Sequence, residues 1–333
     1  MSIVLPPALL SVVETAQMLE VTWLHWVLFL TGLLLLLVLD LCVFHREAHE
    51  PTLTESGLWT LFWVALALLF NGFIWWWGGT EAGLNFFTGY LVEKMLSMDN
   101  VFVFLVIFSY FHVPLKYQYR VLFWGILGAM VMRLVFILIA YELLTHFDWI
   151  LYVFGAFLLY TGVKLVTAHG VETDPQKNVA LRLAKRVVPI THEMHGQKFF
   201  TRIDGKLFAT PLFLVLLVVE TTDVIFAVDS IPAIFGITQD PFIVFTSNMF
   251  AILGLRALYF LLAGMVEYFQ YLHYGLGAVL VFIGAKMLLH HWIELPIWAS
   301  LIAIVLLLGS SMALSLLLHP KTPPIDEDIT PDG

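Results

Sequence analysis

The sequence predicts an all-α polytopic membrane protein with about nine transmembrane helices, which include an inverted repeat of two three-helix units. Hydrophobic residues make up 60% of the 333 residues and charged residues only 12%, whereas a soluble domain has roughly 45 to 50% and about 25%. Apolar stretches of about 20 residues recur along the chain, and each could cross a hydrocarbon core about 30 Å thick. Two parts of the chain also resemble each other.

Nine apolar segments are predicted to be membrane spans. Short polar segments separate them, except for a longer loop between the fifth and the sixth. In chain order the predicted spans are 22–44, 58–77, 86–111, 118–144, 149–168, 209–235, 242–266, 272–290 and 295–318. We therefore expect a transmembrane domain over residues 1–318 with high helix content.

The loop 169–208 is predicted to be cytoplasmic and partly structured. KNVALRLAKRVV (177–188) spaces apolar residues four apart among basic ones, which is typical of a basic amphipathic helix on an anionic membrane surface. FFTRIDGKLFAT (199–210) places Asp-Gly between two strand-like runs, the usual signal for a hairpin with a type I′ turn. The acidic, proline-rich tail 319–333 is predicted to be disordered and cytoplasmic.

Basic residues predict the orientation, because Lys and Arg accumulate in cytoplasmic loops. Of the sixteen Lys and Arg residues, eleven fall in predicted loops on one side, and the other five lie within spans. The N-terminus is therefore expected outside and the C-terminus in the cytoplasm. Asp40, Lys164 and Lys286 lie near span ends, where we expect them to snorkel to the membrane surface.

Several functional classes find no support in the sequence. A net charge of -9 without a basic tail argues against nucleic acid as a partner. The single cysteine, Cys42, cannot build a disulfide framework or a thiolate metal cage. No GxSxG, HExxH or Walker-type glycine loop supports a hydrolase or an ATPase. We expect a membrane-lipid environment, no enzymatic activity and no resident cofactor, and the oligomeric state is left open.

An internal repeat relates spans three to five with spans six to eight. RLVFILIA (133–140) matches RALYFLLA (256–263), and FGAFLLYTGVK (154–164) matches LGAVLVFIGAK (276–286). Since each unit contains three helices, the second copy must enter the membrane with the opposite orientation. Inverted repeats are a hallmark of secondary transporters, whose binding sites lie near the middle of the membrane at the repeat interface.

The two units, about 86–168 and 209–290, also share an acidic pattern. EKMLSMDN (93–100) matches DVIFAVDS (223–230), with two acids six residues apart and a small polar residue after the second. A charge at the centre of a membrane helix costs roughly 2.5 to 3.5 kcal/mol on insertion scales, so such residues are rare unless a function or a partner holds them. These segments are therefore the candidate functional site.

The candidate site holds more negative than positive charge. Its acids are expected to be accompanied by three buried bases and by the amide and hydroxyl oxygens that follow the second acid of each copy. The acids are Glu93, Asp99, Glu220, Asp223 and Asp229, and the bases are Lys94, Arg133 and Arg256. If all were ionised the net charge would be -2, which one divalent cation would neutralise. Oxygen donors without Cys or His suit Mn²⁺, Mg²⁺ or Ca²⁺ better than Zn²⁺ or Cu⁺.

Helix geometry limits how these acids can meet. Residues six apart on an α-helix point about 120° away from each other, so Glu93 and Asp99 cannot share a face without a distortion. Pro232 is expected to distort span six, since proline leaves the carbonyl of Val228 without its usual donor. The alternative is structural: the acids pair with Arg133 and Arg256 and lock two helix bundles together.

Four segments resemble the TerC family of bacterial inner-membrane proteins, which is named for tellurium resistance. They are EKMLSMDNVFVF (93–104), FDWILYVFGAFLLYTGVK (147–164), ETTDVIFAVDSIPAIF (220–235) and TSNMFAILGLRALYF (246–260), and the resemblance covers about residues 25 to 318. It implies a multi-pass protein of the bacterial inner (cytoplasmic) membrane that exports Mn²⁺. It also implies metal contacts by Glu93, Asp99, Asn100, Glu220, Asp223 and Asp229, with Lys94, Arg133, Ser230 and Arg256 in supporting roles.

Energetics suggest how export would be driven. Moving a divalent cation outward against an inside-negative potential costs about 4.6 kcal/mol per 100 mV, twice the value for a single charge. Because no nucleotide-binding motif is present, protons are the expected coupling ion. A second hypothesis from another class is a metal sensor or partner protein that docks secretion or metal-insertion machinery through the loop 169–208.

Overall fold

The computed structural model describes residues 19–42, 52–147, 149–167, 181–183, 186, 188–191, 194, 196–203, 205–263, 271–292 and 295–317. Long apolar helices dominate this part of the chain. They are α1 (Trp23–Cys42), α2 (Leu53–Tyr110), α3 (Leu115–His146), α4 (Trp149–Thr167), α5 (Pro211–Phe235), α6 (Pro241–Leu253), α7 (Leu255–Ala263), α8 (Leu272–Leu289) and α9 (Ile297–Leu317), with strands β1 (Phe200–Ile203) and β2 (Lys206–Ala209) between α4 and α5.

The described helices fit an all-α polytopic membrane protein. Seven of them are long and apolar enough to cross a membrane, or eight if the bent pair α6 and α7 is counted as one span. Their outward faces carry many exposed large apolar side chains, such as Leu69, Trp76 and Leu317. In a soluble protein such surfaces would be costly, but in a bilayer they contact lipid.

Helix α2 is too long for one crossing. Its 58 residues would extend about 87 Å at 1.5 Å per residue, against a hydrocarbon core of about 30 Å. Gly79 has a positive φ of 79° and interrupts the helical backbone, a conformation that glycine adopts without the steric cost of a Cβ. Residue 79 separates the predicted spans two and three. Counted as two arms of α2, the described helices therefore supply the nine crossings that the sequence predicts.

The predicted span 242–266 is broken in the structure. Helix α6 ends at Leu253, and α7 starts at Leu255 after a bend of 41°. By contrast α5 continues through Pro232 and ends three residues later. The main break in the second half of the chain therefore lies at Gly254 rather than at the proline.

The predicted hairpin is present. Strands β1 and β2 pair antiparallel, with Phe200 opposite Ala209 and Ile203 opposite Lys206, so the turn consists of residues 204 and 205. Gly205 has a φ of +78°, as this kind of turn requires, while Asp204 lies outside the described residues. The same is true of most of the predicted amphipathic helix 177–188 and of the predicted tail 319–333.

Helices α4 and α8 pack against each other through four glycines. A Cβ on Gly162 would lie 2.7 Å from the carbonyl oxygen of Gly277, and a Cβ on Gly284 would lie 2.7 Å from that of Gly155. These pairs run in opposite directions along the two helices, so α4 and α8 are antiparallel. The backbones approach so closely that a larger residue at any of the four positions would have to push the helices apart.

Two further sets of contacts also join the two halves of the chain. Helix α2 packs against α6 and α7, while α5 packs against α3. In the sequence repeat, the second arm of α2 corresponds to α5, and α3 corresponds to the α6 and α7 pair. The second arm of α2 contacts α6 through Gly89 and Lys94. In both cases, therefore, the first helix of one copy contacts the second helix of the other copy.

Candidate functional site

Arg133 lies at the centre of a buried polar cluster where α2, α3, α5 and α6 meet. Its Nη1 donates to Glu93 Oε1, and its Nε and Nη2 lie 3.4 and 3.3 Å from the two carboxylate oxygens of Asp223. Nη1 also lies 3.4 Å from Ser230 Oγ and 3.3 Å from Asn248 Oδ1. All five side chains are buried. We call Glu93, Arg133, Asp223, Ser230 and Asn248 the central cluster.

The central cluster lies near the middle of the helices that supply it. Glu93 is in the second arm of α2, Arg133 is near the midpoint of α3, and Asp223 is halfway along α5. Within α5, Asp223 and Ser230 are seven residues apart, which is close to two helical turns, so both side chains point to Arg133. The structure thus joins one acid from each copy of the sequence repeat through a single guanidinium group.

Two buried atoms of the central cluster have no hydrogen-bond partner among the described residues. They are Glu93 Oε2 and the side-chain nitrogen of Asn248. A buried polar atom without a partner is costly, since it has lost water without gaining a replacement. The Glu93 oxygen is therefore the strongest indication in the structure that the cluster can accept a further cation or donor.

Asp99 and Asp229 lie outside the central cluster. Each follows the first acid of its copy by six residues, and a rotation of about 120° turns it to another helix face. Both are partly buried, and no ion pair or hydrogen bond joins either one to another described residue. The Lys164 ammonium in α4 is close enough to attract the Asp229 carboxylate electrostatically. Asn100, seven residues after Glu93, is buried on the same face as that acid.

The Glu220 side chain occupies space that a glycine in the facing helix α3 leaves open. A Cβ on Gly128 would overlap the Glu220 carboxyl group, and a Cβ on Gly125 in the same helix would lie 3.0 Å from Val219 Cγ1. The two glycines let α3 and α5 approach closely and leave a notch for the Glu220 side chain. Glu220 is partly buried, and no hydrogen bond or ion pair joins it to another described residue.

Lys94 contacts the break between α6 and α7 rather than an acid. Its Nζ donates to the carbonyl oxygen of Ala251 at 3.2 Å and lies 3.0 Å from where a Cβ on Gly254 would be. A cation at the carboxyl end of a helix interacts favourably with the helix dipole and with carbonyls that the helix leaves free. Lys94 therefore stabilises the broken helix.

Arg256 lies apart from the acids of the central cluster. Its Nη2 donates to Asp40 in α1, and its guanidinium stacks over the Tyr119 ring at 4.1 Å. Both charged partners are buried. The prediction that Asp40 snorkels to the surface is therefore wrong, because the buried Arg256 gives it a partner inside the protein.

The five predicted acids do not form one compact cage. Within the described ranges, no three His, Cys, Asp or Glu side chains lie close enough to hold a metal ion together. Glu93 and Asp223 share the Arg133 guanidinium. Asp99 and Asp229 lie on other helix faces, and Glu220 lies one turn before Asp223 on α5, in the notch at Gly128. The central cluster still offers carboxylate, amide and hydroxyl oxygens, which are the donors that hard divalent cations prefer.

Asn248 is the member of the central cluster that the sequence patterns did not single out. It has no equivalent in the acidic pattern, because it comes from the middle helix of the second copy. A signal was nevertheless present, since Thr246, Ser247 and Asn248 form a polar run inside the otherwise apolar helix α6 and all three are fully buried. Such a run in a membrane span points to a polar partner inside the protein.

Comparisons with known proteins agree on one family. Residues 78–322 match the model of the "Integral membrane protein TerC family". An uncharacterized membrane protein of Myxococcus xanthus is 50% identical, over 91% of this chain and 95% of its own length. The Escherichia coli K12 protein named "Putative membrane-bound redox modulator Alx" is 50% identical over 84% of this chain and 90% of its own. No solved structure shows significant similarity.

Proposed function

Because the chain belongs to the TerC family of integral membrane proteins, we propose that it is a secondary transporter that exports divalent metal ions, with Mn²⁺ as the preferred substrate. The ion would bind at the central cluster, and protons would move in the opposite direction. The proposed location is the bacterial inner membrane, with the N-terminus outside and the C-terminus in the cytoplasm.

The observation that carries the proposal is the position of Arg133 between Glu93 and Asp223. These acids belong to different copies of the sequence repeat and meet near the middle of the helices that supply them. Inverted-repeat transporters bind their substrate at a comparable position, near the middle of the membrane. An arginine between two carboxylates keeps the empty site from carrying two uncompensated negative charges. Asn248 and Ser230 add neutral oxygens of the kind that complete a Mn²⁺ coordination shell.

The α4–α8 packing supports the inverted repeat. The sequence match pairs Gly155 with Gly277 and Gly162 with Gly284. In the structure Gly155 meets Gly284, and Gly162 meets Gly277. A twofold axis between two copies produces this pattern: if one residue contacts the sequence counterpart of a second residue, the second contacts the sequence counterpart of the first. Because the two helices are antiparallel, such an axis would be perpendicular to them, which is the arrangement that an inverted repeat requires.

Metal binding would compete with Arg133. The guanidinium donates to the oxygens that a cation would use, so the ion and the arginine cannot both occupy the same position. We propose that Arg133 withdraws as the ion enters and returns as it leaves. This exchange keeps the charge of the site compensated in the occupied and in the empty state, which limits the cost of buried charge.

The other three acids are suited to proton coupling. Asp99, Glu220 and Asp229 have no ion pair with another described residue, and a carboxylate in a membrane interior is costly unless it binds a proton or a cation. Export of a divalent ion against an inside-negative potential costs about 4.6 kcal/mol per 100 mV. Protons that enter down their gradient and bind these acids would supply that free energy.

The test is a flux measurement with purified protein in liposomes that contain a Mn²⁺-quenched dye. Wild type, Asp99→Asn and Asp229→Asn are compared with and without a pH gradient. Glu142→Gln is the matched control, because Glu142 is an exposed acid near the end of α3. We expect gradient-dependent flux in wild type and in the control and strongly reduced flux in the two Asn variants.

The possible outcomes test proton antiport, the role of the two acids and divalent-ion transport separately. Flux in wild type that ignores the pH gradient would refute proton antiport and leave transport standing. Full flux in both Asn variants would show that neither acid takes part in coupling. If wild type moves no divalent ion under any gradient, the transporter assignment itself fails.

A further inference from the structure

A cavity of about 590 Å³ opens at the face that the charge pattern predicts to be external. Helix ends from both halves of the chain surround it. Its polar lining consists of Glu81, Asn85, Thr238, Gln239, Asp240, Lys286 and His290. We call this cavity the vestibule. The central cluster lies deeper on three of the helices that line the vestibule.

Three helices run from the floor of the vestibule to the central cluster. Asn85 at the floor and Glu93 in the cluster both belong to α2, about 12 Å apart at 1.5 Å per residue. Phe235 and Ser230 belong to α5, and Ile243 and Asn248 belong to α6. Five residues separate each of the last two pairs, or about 7.5 Å along the helix axis. The vestibule therefore ends roughly two turns above the cluster.

The same three helices touch each other between these two levels. A Cβ on Gly89 of α2 would lie 2.9 Å from Ser247 Oγ of α6 and 3.6 Å from Ile234 Cγ2 of α5. Ile234 and Ser247 are fully buried. The Ser247 hydroxyl donates to the carbonyl oxygen of Val244 in its own helix. The three helices are therefore in direct contact at this level, and the Ser247 hydroxyl proton is bonded within its own helix.

We propose that the vestibule is the external half of the ion path and that Gly89, Ile234 and Ser247 form its closed gate. The inference rests on the proposed transport function for the identity of the ion, a divalent cation. The gate itself rests on the packing of α2, α5 and α6. At this contact no space for water or a hydrated cation is left between Gly89, the branched side chain of Ile234 and the hydroxyl of Ser247. An ion can pass only if one of these helices moves.

Cysteine accessibility tests the gate without relying on transport. The background is Cys42→Ser, which removes the native cysteine of this sequence. Asn85→Cys reports on the vestibule floor and Ser230→Cys on the central cluster. A membrane-impermeant methanethiosulfonate is added from the predicted external side of intact cells. We expect rapid labelling at position 85 and protection at position 230.

Opening the gate should expose the deeper position. In Ser230→Cys, the added change Ile234→Ala removes the apolar side chain that closes the contact, and labelling should rise toward the rate at position 85. Leu212→Ala is the matched control, because Leu212 is equally buried in α5 but lies at the opposite end of the helix. It should leave position 230 protected. If Ile234→Ala does not yield folded protein, Ile234→Val is the milder replacement.

The labelling rates at positions 85 and 230 test the vestibule, the gate and the proposed function separately. Labelling of Ser230→Cys in the intact gate at the rate of Asn85→Cys would overturn the gate, as would protection that persists in both Ile234 variants. Protection of Asn85→Cys from the predicted external side would overturn the vestibule. In the opened variant, MnCl₂ should slow labelling at position 230. Labelling that is unchanged by Mn²⁺ would count against the proposed function while the gate stands.

Discussion

Arg133 shows how a single residue can connect the two halves of a membrane protein. Its guanidinium contacts Glu93 from the first copy of the repeat and Asp223, Ser230 and Asn248 from the second. Arginine is suited to this role because its planar group carries five donors and keeps its charge when buried. If the role of this pairing is structural, Arg133 stays between the two acids. If the protein transports a cation through this site, the ion must be able to replace Arg133.

Replacing Arg133 distinguishes these readings. In Arg133→Gln, Glu93 and Asp223 lose their shared cation, and breaking a buried pair in this way typically costs about 3–5 kcal/mol. We expect a lower Tm in detergent and a larger rise in Tm on adding Mn²⁺ than in wild type, because the ion can replace the lost charge. Arg182→Gln, at an exposed position, should change neither value. A Mn²⁺ response no larger than that of wild type would contradict the exchange.

The notch at Gly128 gives a second prediction. In Gly128→Ala the new Cβ would overlap the Glu220 carboxyl group, and such overpacking typically costs about 1–3 kcal/mol. We expect a lower Tm that Glu220→Ala partly restores in the double variant, because the shorter side chain vacates the notch. Gly72→Ala, where a Cβ has open space, is the control. Additive effects of the two changes would show that the contact is absent in solution.

Sequence patterns identified most of the central cluster but not its contacts. Glu93, Arg133, Asp223 and Ser230 were predicted from their charge or polarity within spans and from the repeat. The six-residue spacing also indicated correctly that the second acid of each copy faces elsewhere. The structural alternative named Arg133 and Arg256 as partners of the acids, and the structure shows this for Arg133. Which acids each arginine contacts could not be predicted, because that depends on how far each helix is rotated in its packing. Asp40 therefore pairs with Arg256, against expectation.

At the scale of elements, hydropathy predicted where the helices lie and separated the two arms of α2, but it missed the break between α6 and α7. Gly79 divides α2 through a positive φ, and Gly254 separates α6 from α7 with a bend of 41°. Hydropathy averages over a window of about 19 residues, so a change in one backbone angle does not alter it. The break at Gly254 is also stabilised by the Lys94 ammonium, which donates a hydrogen bond to the Ala251 carbonyl oxygen.

The α4–α8 contact predicts a specific sensitivity to small changes. Gly162→Ala and Gly284→Ala would each place a Cβ 2.7 Å from a carbonyl oxygen of the facing helix, so each should destabilise the protein by about 1–3 kcal/mol. Gly309→Ala in α9 is the control, since nothing lies within 4 Å of its Cβ position. Tm measurements in detergent check this. Equal Tm values for all three variants would mean that the helices do not approach this closely.

At the scale of the whole molecule, the two copies match in sequence and differ in the contacts of their arginines. Arg133 lies between the central acids, whereas the matching Arg256 pairs with Asp40 of α1. The sequence predicted the repeat, but this difference depends on α1, which lies outside both repeat units. In our account the asymmetry belongs to one state of the transport cycle, with the external gate closed.

Replacing part of the loop 169–208 distinguishes the transporter hypothesis from the docking hypothesis. Replacing residues 170–188 with a flexible Gly/Ser linker leaves the hairpin and all of the spanning helices in place. We expect Mn²⁺ flux in liposomes to remain near the wild-type rate, because the central cluster lies in the membrane helices. A shuffled sequence of the same charge is the control. Loss of flux with the linker and not with the shuffled loop would favour a role for this segment in function.

The central claim is that acids from both halves of the chain form one ion site, and Mn²⁺ binding to the purified protein tests it most directly. Equilibrium titration followed by electron paramagnetic resonance of free Mn²⁺ compares wild type, Glu93→Gln, Asp223→Asn and the exposed-acid control Glu142→Gln. We predict one saturable site in wild type and in the control, lost in each central variant. Unchanged Mn²⁺ affinity in both Glu93→Gln and Asp223→Asn would contradict the account.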